Sequence, residues 1–181
     1  MLTELFEELT QELRGAMVKR KHPFKYITLT TVGDTGMPRS RTVVLREVDE
    51  SLNGIIFTDA RTVKVEQLKR NPNACILAYH PKKMLQLRLN GRLIPINSDS
   101  ERKRLFHKVS GNSLKDYTTT QIPGSTISNP DEVEYGSRDK NHFLPLRFEP
   151  ETIEYLRLKR PNHLRALFSK ENHWKGQWLV P

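Results

Sequence analysis

From Tyr26 to Ile96 the chain alternates short runs of β-branched, aromatic and leucine residues with clusters of turn formers, which points away from a parallel, doubly wound sheet. Tyr26 to Val32 reads as a strand, GDTG as a turn and Arg39 to Val48 as a second strand, together a hairpin. Gly54 to Thr58 is a third strand, leading into a short helix from about Val63 to Arg70 that Asn71 and Pro72 close. Ala74 to Tyr79 and Leu85 to Ile96 follow, separated by His80, Pro81 and a basic turn. In LQLRLNGRLI the alternation is clean, with Leu85, Leu87, Leu89 and Leu93 on one face and Gln86, Arg88, Asn90 and Arg92 on the other. Four or five strands joined by hairpins predict a curled antiparallel sheet or barrel, a mainly β architecture with some α.

The flanks add helices. Leu2, Leu5, Phe6, Leu9, Leu13 and Met17 recur at helical spacing, acidic early and basic late, until His22 and Pro23 end the pattern. Ser98 with Glu101 forms a capping box before a basic helix to about Val109, and residues 113 to 120 read as another helix. Residues 121 to 141 are polar and rich in Pro, Gly, Ser and Asn, a loop of a length that usually either has a binding role or is mobile. Two last strands are expected at Phe143 to Glu149 and Thr152 to Leu158, before a Trp-containing turn. The 181 residues are read as one domain, 1–181. No run is long enough to cross a bilayer, and the acidic, amphipathic start lacks the features of a secretory signal, so a cytoplasmic protein without a membrane partner is expected.

Chemistry is constrained by what is scarce. The single cysteine, Cys75, cannot build a disulfide framework or a thiolate-rich metal site. His22, His80, His107, His142, His163 and His173 are scattered without metal-ligand spacing, and no metal site is expected. Walker, dinucleotide, HExxH and GxSxG signatures do not occur, so reactive chemistry is expected from a bound cofactor. A net charge of +9 favours an anionic partner: nucleic acid, a phosphorylated cofactor or an acidic metabolite.

One junction carries a specific signal. Asp59, Ala60 and Arg61 form a turn, Thr62 is a natural helix N-cap, and Val63 and Lys64 fall in the first helical turn. Arg61 and Lys64 oppose the helix dipole there unless an anion shares the site, which makes the junction a candidate phosphate cradle; a solvated surface lysine is the plainer alternative. On SRTVVLREV, alternation puts Arg41, Val43 and Leu45 on one face and Thr42, Val44 and Arg46 on the other. An arginine at the head of an apolar face can hold a phosphate bidentately, or simply cap a core strand.

Together, SRTVVLR, IFTDARTVKVEQLKRNP, LQLRLNGRL and the ending NHWKGQWLVP resemble the pyridoxamine 5'-phosphate oxidase-like family of FMN-binding split barrels, most closely over residues 20 to 96. The resemblance implies an antiparallel FMN-binding split β-barrel with peripheral helices, assembled as a homodimer with its FMN sites at the interface. It implies Arg41, Thr42, Val43 and Val44 at the flavin, Phe57 and Thr58 beside it, Thr62, Val63 and Lys64 at its phosphate, and Gln86 from the LQLR-like strand. Departures fall mostly on the substrate side. Val63 stands where the oxidases usually have a second basic residue, with Arg61 as its substitute; Arg46 replaces a substrate-contacting lysine; Leu105 and Val109 replace a Tyr and an Arg; Leu156 replaces a flavin-contacting Trp. In NHLRAL, His163 and Arg165 are the counterparts of the family's substrate motif, and an IPGS-like segment makes Gln121 and Ser125 candidates to reach the flavin.

Two functions follow. The first is an FMN-dependent oxidoreductase acting on a small, anionic molecule held by Arg46, His163 and Arg165, with pyridoxamine 5'-phosphate the less favoured substrate. The second is a non-enzymatic barrel that stores flavin or binds nucleic acid. Against nucleic acid, the basic residues lack the aromatic interleaving of a stacking platform.

Overall fold

A computed structural model describes the chain from Met1 to Pro181. Eight strands form one antiparallel sheet: β1 (Tyr26–Val32), β2 (Pro38–Val48), β3 (Gly54–Asp59), β4 (Asn73–His80), β5 (Leu85–Pro95), β6 (Phe143–Arg157), β7 (Leu164–Ser169) and β8 (Gly176–Trp178). The order is β3-β2-β1-β4-β5-β6-β7-β8, and β3 also pairs with β6. That pairing closes the first six strands into a barrel and leaves β7 and β8 as an extension of one wall. Three helices surround it: α1 (Leu2–Val18), α2 (Val63–Arg70) and α3 (Asp99–Phe106).

The two strands expected after residue 142 are one, and β6 is what closes the ring. Its first part, Phe143 to Phe148, pairs with β3, and its last part, Thr152 to Arg157, pairs with β7, while β5 runs beside both. The register shifts between Asn90 and Gly91, opposite Pro150, so a proline sits mid-strand at a bulge where its missing donor is tolerated. A Cβ on Gly91 would lie 2.0 Å from the Glu149 carbonyl oxygen, so only glycine fits where the strands cross so closely.

The core fills from both period-two strands and the helical stripe. Leu85, Leu87, Leu89 and Leu93 of β5 are buried as the alternation predicts, and α1 adds Leu5, Leu9, Leu13 and Ala16. Phe6 lies 5.9 Å from Trp174 in a stacked contact, tying α1 to the C-terminal turn. A second, smaller cluster of Ile55, Ile96, Leu105, Val109, Tyr117 and Phe143 lies beneath α3 and a 3-10 helix at Gly111–Tyr117, where the sequence suggested an ordinary helix.

The histidines are less scattered than the sequence suggests. His22 and His80 each open a His-Pro turn, and both turn toward Glu12 of α1, with His22 Nε2 3.1 Å and His80 Nε2 3.9 Å from its carboxylate. The three have the spacing of a metal site, but each imidazole Nδ1 accepts a backbone N–H, from Phe24 at 3.2 Å and Lys83 at 3.3 Å. At His22 the acceptor role of Nδ1 leaves the proton on Nε2, where it faces Glu12. Lys83 completes the set 2.5 Å from Glu12, and the arrangement works as a clasp that fastens α1 to two corners of the barrel. No helix is long and apolar enough to cross a membrane.

Candidate functional site

The end of β3, the start of α2 and the middle of β2 enclose a cavity of about 290 Å³. Its walls include Arg41, Thr42, Val43 and Val44 of β2, Phe57 and Thr58 of β3, and Thr62 and Lys64 at the head of α2. Local chain geometry explains the grouping. β3 ends at Asp59 and α2 begins four residues later, so the strand's terminal hydroxyl and the helix's first basic residue meet across one turn. Val63, 58% exposed, points away from the cavity and offers it no side chain.

The polar floor of the cavity is positive. Lys64 Nζ donates to Thr58 Oγ1 at 2.8 Å and to Thr62 Oγ1 at 3.3 Å. Arg41 Nη1 donates to Thr31 Oγ1 at 2.8 Å. These partners are hydroxyls, with the Leu29 carbonyl also near Arg41, so neither cation is in contact with a carboxylate in this partly buried place, although Asp59 also lines the cavity. Burial, with the neighbouring Arg41 charge, brings Lys64 down to about 8 against the opposing pull of Asp59. Burial likewise lowers Arg41, with Arg39 acting in the same sense. Two half-buried cations that repel each other are held in place at an energetic cost, and an anion between them would relieve it. A phosphate such as that of FMN fits this arrangement, and Arg41, Lys64, Thr58 and Thr62 are the residues that could hold it.

Thr62 is the N-cap residue but does not cap. Its hydroxyl turns back to the Asp59 carbonyl at 2.9 Å, so the first amides of α2 receive nothing from it.

Arg61 requires a correction. It does not stand in for a phosphate-binding residue, because its guanidinium is consumed by Asp59, with Nη2 to Oδ2 at 2.7 Å, and by the Thr119 carbonyl at 2.8 Å and the Thr120 carbonyl at 3.2 Å. Asp59 is 2% exposed, a buried carboxylate whose compensation is this one arginine and the Arg61 amide. The pair pins the segment after the 3-10 helix against the barrel, and from there Asp116, Tyr117 and Pro123 become the cavity's outer wall. Sequence reading missed these three, since nothing local marks them; they arrive through a contact spanning 58 residues.

Arg46 lines the cavity for a reason alternation does not contain. Leu45 pairs with Ile56 and Glu47 with Ile55, so Arg46 is the extra residue of a β-bulge, a device that re-aims a side chain. Its guanidinium lies 5.2 Å from the Phe57 ring centroid, within cation–π range, and its buried Nε has no hydrogen-bond partner in the chain.

Other expected residues are not brought into the cavity by this chain. Gln86, Leu156 and Arg165 lie side by side across β5, β6 and β7 on the outer sheet face. Arg165 Nε donates to Glu154 at 3.1 Å, and Arg88 also pairs with that buried carboxylate. His163 Nδ1 accepts the Lys159 N–H at 3.1 Å, bracing the β6–β7 turn. In the long loop, the Gln121 side chain donates to the Glu132 carbonyl and accepts the Glu134 N–H, and Ser125 donates to the Ile122 carbonyl; both are spent within the loop. The cavity nevertheless borders the outer face, because one paired row runs Thr42, Thr28, Leu77, Arg88, Glu154 across five strands.

Comparison with known proteins gives a consistent result. The family model described as pyridoxamine 5'-phosphate oxidase, FMN-binding domain, matches residues 4–97, which contain every cavity residue except those of the outer wall. The chain is 31% identical to pyridoxine/pyridoxamine 5'-phosphate oxidase 2 of Arabidopsis thaliana, covering 94% of this chain and 96% of that protein. It is 27% identical to the pyridoxine/pyridoxamine 5'-phosphate oxidase of Burkholderia mallei, over 86% of this chain and 78% of that one. Among solved structures, a pyridoxamine 5'-phosphate oxidase-related, FMN binding protein from Nostoc punctiforme superposes with a TM-score of 0.79 at 22% identity, over 97% of both chains. PhzG from Burkholderia lata, solved with tetrahydrophenazine-1-carboxylic acid, gives 0.78 at 20% identity, over 97% of this chain and 92% of that one.

Proposed function

Because the chain belongs to the pyridoxamine 5'-phosphate oxidase family of FMN-binding split barrels, we propose that it binds FMN in the cavity at the β3–α2 junction and uses it as an oxidoreductase on a small anionic substrate other than pyridoxamine 5'-phosphate. The observation that carries this reading is the pair Arg41 and Lys64, two partly buried cations in one cavity whose hydrogen-bond partners are neutral. When bound, FMN supplies two-electron redox chemistry, and the protein's share is to hold, orient and shield it. Arg41, Lys64, Thr58 and Thr62 hold the phosphate, while Val43, Val44 and Phe57 offer an apolar border to the ring.

The substrate side supports a change of substrate. Leu105 and Val109, in the places of two polar residues of the oxidases, are 0% and 3% exposed within the second apolar cluster, so they offer a substrate no donors. Arg46 remains as a positive charge at the cavity's other end.

The reading includes a second copy of the chain. A cavity of this size is at the small end for a cofactor site, and Gln86 and Arg165 lie on the sheet face that the cavity borders. A homodimer joined through that face brings each copy's Gln86 and Arg165 toward the other's cavity.

Titrating apoprotein with FMN tests the cofactor. Lys64→Ala is expected to weaken binding by about 1 to 3 kcal/mol through loss of a charge-assisted contact. Equal affinity in the variant and the parent would remove Lys64 from the site.

A further inference from the structure

The outer wall of the cavity recognises charge in a way the phosphate end does not. Arg46 brings the end's one cation, aimed there by the β2 bulge, with Phe57 beneath it and a buried Nε that no group of the chain satisfies. Tyr117 lines the same wall, 4% exposed, its ring fixed edge-on against Phe143 at 5.3 Å. Its hydroxyl lies near Arg46; burial pushes its pKa up, the Arg46 charge opposes that rise and the Asp116 charge adds to it, so at neutral pH it remains a proton donor. Asp116 stands next to it on the wall and carries negative charge into the same space.

Charge and donor count select the ligand. A phosphate monoester brings close to two negative charges and three acceptor oxygens. This end offers one guanidinium and one phenol, beside an acid that repels a dianion more than a monoanion. A carboxylate brings one charge and two oxygens in a plane, which a guanidinium edge and a single O–H satisfy together. We propose that Arg46 and Tyr117 form the recognition end for an organic monocarboxylate substrate, with Asp116 excluding phosphorylated ones. Tyr117 is thereby a specificity-determining residue contributed by the 3-10 helix, and the assignment rests on the reading of the cavity as an FMN site.

The test uses the full chain loaded with FMN, probed with benzoate and separately with inorganic phosphate, and read by perturbation of the flavin band near roughly 450 nm. Benzoate is expected to perturb the band saturably, at concentrations at least tenfold lower than phosphate. Tyr117→Phe keeps the edge-on packing and is expected to weaken benzoate at least tenfold more than it weakens FMN. Asp116→Asn is expected to narrow the gap between phosphate and benzoate. The inference is overturned if loaded protein prefers phosphate, ignores benzoate, or binds it equally well in the Tyr117→Phe variant. FMN uptake is measured first: failure there overturns the cofactor reading itself, whereas flavin-loaded protein indifferent to benzoate overturns only the carboxylate assignment.

Discussion

Lys64 sits where binding and protonation are linked. In the free protein its pKa is about 8, below the ordinary lysine value because burial and Arg41 disfavour its charge. A bound phosphate reverses that balance and raises it. Between about pH 7, where the FMN phosphate with its second pKa near 6 is already a dianion, and pH 8, the free and bound forms both carry the lysine proton, so affinity is flat. Above that range, binding must take up a proton, and the FMN dissociation constant is expected to climb by up to about tenfold per pH unit. Fluorescence-quenching titrations at a series of pH values will show this, and Lys64→Met should bind more weakly at neutral pH with no such climb. The same rise in the variant would place the titrating group elsewhere. Much of this end was legible in the sequence because Thr58, Thr62 and Lys64 lie within seven consecutive residues, whose strand-to-helix geometry is local. Arg46 shows where legibility stops: strict alternation places it on a face, but a bulge fixed by the β2–β3 register decides where it points.

Among the elements, the loop after α3 is tied to the barrel partly through one ion pair. Arg61 joins buried Asp59 to the carbonyls of Thr119 and Thr120, so it ties the wall formed by Asp116, Tyr117 and Pro123 to the β3–α2 turn, beside the packing of Tyr117 on Phe143 and the His142 N–H bond to the Tyr117 carbonyl. Arg61→Ala leaves buried Asp59 with only the backbone amide of residue 61 and the nearby Lys64 charge, a loss of up to about 3 kcal/mol in stability. The variant should also be cut by trypsin faster at Lys115, Arg138 or Lys140, while sites in the barrel strands keep their resistance. Unchanged cleavage in that segment would show that other contacts hold it. Sequence pattern anticipated the five strands up to Ile96 because each shows alternation or β-branched enrichment between turn formers. It divided β6, since Pro150 reads as a break unless the bulge opposite Gly91 is known. It missed β7 and β8, whose short runs carry no period; β7 is a strand because β6 offers it an edge, and β8 because β7 does.

At the scale of the whole molecule, the proposed dimer is expected to form through the outer sheet face. Tyr26, Leu77 and Tyr79 are 64%, 36% and 44% exposed on neighbouring strands, beside a charged row in which Arg88 and Arg165 share the buried Glu154. Apolar side chains grouped around an ion-paired centre suit a self-complementary contact between two copies. Light scattering is expected to give about twice 21.1 kDa. Leu77→Arg places a like charge against itself across such an axis without disturbing the core, and it should yield monomers. If Gln86 and Arg165 act on the partner's cavity, those monomers also lose FMN, although every residue of their own phosphate end is intact. Lys64→Ala should separate the two effects by losing FMN while remaining a dimer. A parent protein that is monomeric yet holds FMN tightly would show that one chain's cavity is sufficient, and the roles given to Gln86 and Arg165 would fall together.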